Sequence, residues 1–116
     1  MKEKDLQQQV ISIARMYGWK VQHTRAVQMA NGRWATPIQG EAGFPDLVLV
    51  KSNHDGRGGV IFAELKTDLG RVGKEQHRWI DALETAGAEW YVWRPTDLLA
   101  ISHRLSALSS HVAVTQ

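Results

Sequence analysis

Residues 60–66 read Val60-Ile61-Phe62-Ala63-Glu64-Leu65-Lys66, five apolar residues and two charges, and this stretch decides the fold. Side chains alternate across a strand, so Glu64 and Lys66 share a face with Val60 and Phe62 while Ile61, Ala63 and Leu65 take the other. Both faces are apolar over most of their length, as expected of a central strand with helices on each side. Residues 46–50 (DLVLV) have the same character, and residues 52–59 (SNHDGRGG) between them are dense in turn formers. The two strands are expected to form an antiparallel hairpin.

Working outward, Leu6, Val10, Ile13, Ala14 and Tyr17 recur at helical spacing, which predicts an amphipathic helix over 2–17 with Gly18 as its stop. Trp19, Val21 and His23 then alternate with Lys20, Gln22 and Thr24, a strand with one drier face. Downstream, Trp79, Ile80, Leu83 and Ala86 mark a second helix over 74–86, stopped by Gly87. Residues 89–93 (EWYVW) read as a fourth strand, broken by Pro95, with Thr96 or Asp97 capping a last helix to near Ser110. The order α-β-β-β-α-β-α gives an α/β layer fold around a mixed four-stranded sheet. No repeat, low-complexity tract or linker interrupts it, so residues 1–116 are read as one domain. Residues 26–45 stand apart: a connection of about twenty residues with little periodicity is longer than most loops in compact domains, and such loops tend to be functional.

Composition narrows the chemistry. Cysteine is absent, which excludes disulfides, thiolate metal sites and cysteine nucleophiles, and fits a reducing compartment. No apolar run approaches the roughly 18 residues that span a bilayer, and the opening MKEKDLQQQ is too polar for a secretory signal, so a cytoplasmic protein with no membrane partner is expected. The formal charge of +2 favours polyanions only slightly. Lys20, Arg25, Arg33, Arg57, Lys66, Arg71, Lys74 and Arg78 fall mostly in loops and at element ends; either they face an anionic ligand or they form a solvated basic surface. None of the five histidines has metal-ligand spacing, and Ser109-Ser110 has no acid–base context. Helical and strand periodicity assigns Trp79, Trp90 and Trp93 to the core, leaving Trp34 beside Arg33 as the aromatic free to stack on a ligand.

The charges at Glu64 and Lys66 admit two readings: solvated ends of a strand at the sheet edge, or a site. A site needs a third group, because burying an unpaired charge costs several kcal/mol. Asp46 supplies it, starting the neighbouring strand on the face of Val48 and Val50. Two carboxylates beside a lysine form a hard oxygen site suited to Mg²⁺ or Mn²⁺. Glu3, with Gln7 on the same face, continues the apolar stripe of the first helix toward the sheet, or else frays at the helix start. Gln76 lies on the inward stripe of the second helix, where its amide either fixes a lysine, water or phosphate or simply caps the helix.

Glu3, Gly43-x-Pro45-Asp46, Glu64-x-Lys66 and Gln76, in this order, resemble the motif series of the PD-(D/E)xK nucleases, in particular the stand-alone VRR-NUC domains of bacteria and phages. The resemblance takes in Gly18-Trp19 and Trp93-Arg94-Pro95 as well. It implies a restriction-endonuclease-like core and a metal-dependent nuclease cutting DNA, preferentially branched or junction DNA, as a homodimer in a bacterial or phage-infected cytoplasm. It further implies that Asp46, Glu64 and the Leu65 carbonyl hold the metal, with Glu3 direct or through water. Lys66 would then orient or deprotonate the attacking water, and Gln76 would hold the lysine or the water in line. Arg25, Arg33, Trp34 and Lys74 are the residues expected to contact DNA. The rival reading is a non-catalytic DNA-binding or accessory subunit of a recombination machine.

Overall fold

The computed structural model describes residues 1–23, 27–28, 30–35 and 40–106. Helix α1 (Glu3–Met16) buries Leu6, Val10 and Ala14, the expected stripe. The Asp5 carboxylate accepts the Lys2 backbone N–H at 2.9 Å and so satisfies one donor at its start. At its end Gly18 takes a positive φ of 85°, which lets Trp19 N–H reach the Ala14 carbonyl at 2.9 Å and close the helix in a Schellman turn. Helix α2 (Lys74–Thr85) ends in the same way, with Ala88 N–H on Leu83.

Strands β1 (Lys20–His23), β4 (Leu47–Lys51), β5 (Gly59–Leu65) and β6 (Glu89–Trp93) form one sheet in the order β1-β4-β5-β6. The β4–β5 hairpin is antiparallel, as expected, with Leu47 opposite Ala63. β6 pairs parallel to β5, with Glu64 opposite Val92, which requires the crossover that α2 provides. The sheet is thus mixed and four-stranded, with helices flanking it.

The two faces are covered unequally. Leu47, Leu49, Ile61, Ala63, Leu65 and Trp93 pack under α1 and under α3 (Leu98–Ser106), which adds Ile101 and Leu105 to a continuous buried core. Among the described residues the opposite face receives α2, whose one buried residue is Ile80, and the Phe44 ring, while Val50 and Val60, paired across the hairpin, stay 41% and 47% exposed. Apolar residues on both sides of these strands therefore signalled two covered faces where one is covered only toward the Glu64 end. Trp93 is buried as expected, whereas Trp79 and Trp90 are half-buried. Each indole N–H instead seeks an acceptor: Trp79 the carbonyls of Glu41 and Ala42, Trp90 the Glu84 carboxylate.

Within residues 26–45 the structure adds a small separate sheet of β2 (Val27–Gln28) and β3 (Trp34–Ala35). Asn31-Gly32 sits at its turn, with Asn31 Oδ1 accepting the Arg33 N–H at 3.0 Å, a hairpin signal that hydrophobic periodicity does not register. Asp97 caps a short 3₁₀ turn (Pro95–Asp97) that precedes α3, accepting the Arg94 N–H at 2.8 Å. The predicted extension of this last helix to Ser110 lies outside the described residues. No described helix is long and apolar enough to cross a membrane.

Candidate active site

Antiparallel pairing puts the start of β4 beside the end of β5, so Asp46 and Glu64 meet at one edge of the sheet. Asp46 Oδ2 accepts the Leu65 backbone N–H at 2.8 Å, which fixes this carboxylate against the neighbouring strand. The two carboxyl groups are near enough for the charge of Asp46 to act on Glu64. Glu64 is the one buried charged residue among those described, its side chain 3% exposed. Gln76 Nε2 donates to its Oε2 at 2.6 Å, and Lys66 Nζ stands 3.7 Å from the same oxygen. Its Oε1 is buried with no hydrogen-bond partner among the described residues.

These surroundings disfavour the charged form of Glu64. Loss of solvation, then the neighbouring Asp46 carboxylate, push its carboxyl up to about 8, Lys66 opposes the shift and Glu3 adds to it. Glu3, at the rim where α1 begins, is raised in turn by partial desolvation and by Asp46, with Lys66 pulling the other way. The structure therefore brings Glu3, Asp46, Glu64 and Lys66 to one edge. Among the described residues no three His, Cys, Asp or Glu side chains are grouped to hold a metal. Asp46 and Glu64 converge; Glu3 stands back.

Gln76 caps α2 as one reading expected, its Oε1 accepting the Gly73 N–H at 2.7 Å, while its amide nitrogen holds Glu64. It grips the carboxylate rather than the lysine. What positions it is the stretch before Asp46. A Cβ on Gly43 would lie 2.5 Å from the Glu75 carbonyl carbon and 2.8 Å from the Gln76 nitrogen, so only glycine lets this loop lie on the first turn of α2. Phe44 then stacks edge-on against Trp79 at 4.9 Å and Phe62 at 6.1 Å, Pro45 is buried, and Asp46 follows.

Two further features escaped the sequence reading. Arg94, just past β6, donates from Nη1 to the carbonyls of Thr67 and Gly70, each at 2.7 Å, and so ties down the turn that follows Lys66. An arginine between a strand and Pro95 was its only signal. Gln7 Nε2 lies 3.2 Å from His23 Nδ1 at the same edge of the sheet, giving that half-buried histidine a polar partner. Of the residues expected to touch DNA, Lys74 is exposed at the first position of α2 and Arg33 is exposed beside β3. Arg25 and the side chain of Trp34 lie outside the described residues.

An α/β core with an acidic residue at the head of one central strand and Glu-x-Lys at the end of its neighbour defines the PD-(D/E)xK class of nuclease domains. The sequence model of the VRR-NUC domain matches residues 3–96, from Glu3 to just past Arg94-Pro95. The chain belongs to the VRR-NUC family, and with it to the nucleases. Searches of curated proteins and of solved structures matched nothing.

Proposed function

We propose that residues 1–116 act as one divalent-metal-dependent deoxyribonuclease domain that hydrolyses phosphodiester bonds endonucleolytically in branched or otherwise structured DNA. The observation that carries this reading is Glu64: a buried carboxylate beside Asp46 with one oxygen left unpartnered among the described residues. Leaving such an atom unmatched costs on the order of 1–3 kcal/mol or more, a cost that an external cation offsets. The donor set is oxygen throughout, which fits Mg²⁺ or Mn²⁺ rather than a softer metal. Asp46, Glu64 and the Leu65 carbonyl would hold it, with Glu3 reached directly or through water. When bound, such an ion neutralises phosphate charge and lowers the pKa of a ligated water.

The chain's own residues supply the rest. The Leu65 N–H and the Gln76 amide fix the two carboxylates, so little reorganisation is needed when DNA arrives. Lys66 holds a positive charge at the mouth of this edge, where it can orient the attacking water and stabilise the charge that grows on the phosphate. Lys74, Arg33 and Arg25 would take flanking phosphates, and Trp34 would offer a stacking face. A homodimer places two such sites against the two equivalent strands of a symmetric junction. The intended setting is the cytoplasm of a bacterium or phage-infected host.

The test is cleavage of a labelled panel of duplex, single strand, flap, splayed arm and four-way junction with Mg²⁺, Mn²⁺ or EDTA, alongside light scattering for mass. Metal-dependent internal cuts favouring branched substrates are expected. Binding without cleavage under every metal condition would return the chain to the class of accessory DNA-binding subunits.

A further inference from the structure

Leu69 is 94% exposed, the most exposed of the large apolar side chains among the described residues. A lone exposed leucine is ordinary on a protein surface; the support beneath this one is not. It sits in the turn that follows Lys66, closed by Gly70 N–H on the Thr67 carbonyl at 3.1 Å. Arg94 donates to the carbonyls of Thr67 and Gly70, on either side of Leu69, with a longer 3.4 Å contact to that of Asp68. Asp68 Oδ1 in turn accepts the Thr96 N–H at 3.3 Å. A half-buried guanidinium and the start of the 3₁₀ turn are thus committed to holding this one turn still. Among the described residues no non-glycine has a positive φ, so the leucine is held outward without backbone strain.

The turn also rides on the active site. A Cβ on Gly70 would lie 3.5 Å from Lys66 Cδ, so its last residue packs against the stem of that lysine. On the other side follow Arg71 and Lys74, exposed and with no ion-pair partner among the described residues. A rigid apolar tip between the candidate catalytic lysine and two cations suits stacked bases flanked by phosphates. Apolar side chains of this size act as wedges where a protein parts a base step.

We propose that Leu69 inserts between bases next to the scissile phosphate and opens the step, which makes it a positioning residue that lets the site cut where the bases are still stacked. The proposal rests on the reading of the site as a DNA nuclease. The wedge spends protein–base contact on unstacking, so its value falls to nothing where the bases are already apart. That gives it a signature distinct from simple DNA affinity.

The test compares wild type with Leu69→Ser, Leu69→Met and, as a surface control, Leu99→Ser, the last altering a leucine 85% exposed on α3. 2-Aminopurine is placed at successive positions of a duplex and a four-way junction, with a second fluorophore reporting binding by anisotropy, in Ca²⁺. Cleavage in Mn²⁺ is measured on a paired substrate and on one with a small bubble at the cut. Wild type, Leu69→Met and Leu99→Ser should brighten the probe at one or two positions beside the cut. Leu69→Ser should bind without brightening it, melt at the wild-type temperature, and lose about tenfold in its paired-to-bubble cleavage ratio. An unchanged ratio and an unchanged probe signal in Leu69→Ser, or a wild type that cuts without brightening any position, would overturn the wedge alone. A wild type that neither binds nor cuts any substrate would overturn the nuclease reading beneath it.

Discussion

The two ends of the sheet each hold a cluster of charge removed in part from solvent, and they are built on opposite plans. At the far end from Glu64, Glu89 opens β6 and meets Arg104 of α3 in a two-pronged ion pair, with Nε and Nη2 at 2.5 and 2.9 Å from its two oxygens. Tyr91 adds its hydroxyl at 2.7 Å, and burial beside Glu89 pushes that phenol up to about 12. The guanidinium lies 5.3 Å from the centre of the Trp19 ring, a π face that softens the lack of an acceptor for Nη1 among the described residues. One acid meets one base, and nothing further is called for. At the Glu64 end two carboxylates converge beside one lysine with Glu3 at the rim, and the most buried of them keeps an oxygen without a partner among the described residues. At the Arg104 end acid and base are matched in number; at the Glu64 end carboxylates outnumber the lysine.

The sharpest break of this comparison is in catalysis. Lys66→Ala should lower turnover by about 10²- to 10³-fold while keeping most DNA affinity, because one lysine is a small part of a phosphate-contacting surface. Near wild-type turnover would remove Lys66 from the chemistry. Arg104→Ala should do the reverse. Stripping one partner from a largely buried pair costs about 3 kcal/mol, read by denaturant unfolding, with turnover per folded molecule unchanged. A folded Arg104→Ala protein that no longer cuts would show that the far end takes part in the reaction.

The third prediction sharpens the contrast through pH. The folded chain holds the Glu64 proton more tightly than the unfolded chain, whose carboxyl keeps its ordinary value near 4.5. Its contribution to stability is therefore complete below that value and is lost as pH rises toward about 8. In EDTA the wild type should lose on the order of 1 kcal/mol, about 4–8 °C in Tm, between pH 5 and pH 8 beyond any general drift, and Glu64→Gln should be flatter. Parallel curves for the two proteins would mean that Glu64 is ionised throughout. The smallest effect concerns approach. Lys74→Ala should reduce the slope of log binding constant against log salt by about one, whereas Lys51→Ala, at the far end, should leave it unchanged. Equal slopes in both variants would place DNA elsewhere.

How far these ends were legible follows from which forces act locally. The core strands announced themselves because their residues are apolar on both faces, and α1 because Leu6, Val10 and Ala14 keep helical spacing. Glu64 and Lys66 were legible as charges continuing an apolar face, and Asp46 as the head of the paired strand. Partners set by tertiary contact were not legible. Nothing near Gln76 in the chain says that its amide finds Glu64, and nothing near Arg94 says that its target is a turn some 24–27 residues earlier. The uncovered Val50 and Val60 looked like core because composition reports what a strand could bury, not how far a neighbouring helix extends. The Asn31-Gly32 hairpin was missed for a different reason: its strands are two residues each, too short for any period to register.

Gln76 has a consequence for how the site breathes. Its side chain is shared between the amide of Gly73 and the carboxylate of Glu64, so fraying of the first turn of α2 and release of that carboxylate are one local opening, not two. Any ligand that holds Glu64 in place must then slow hydrogen exchange at the Gly73 amide, although it never touches that residue. By reciprocity, a substitution that steadies this turn must tighten the ligand by the same factor. The amide of a glycine on the rim becomes a reporter of occupancy at the buried acid.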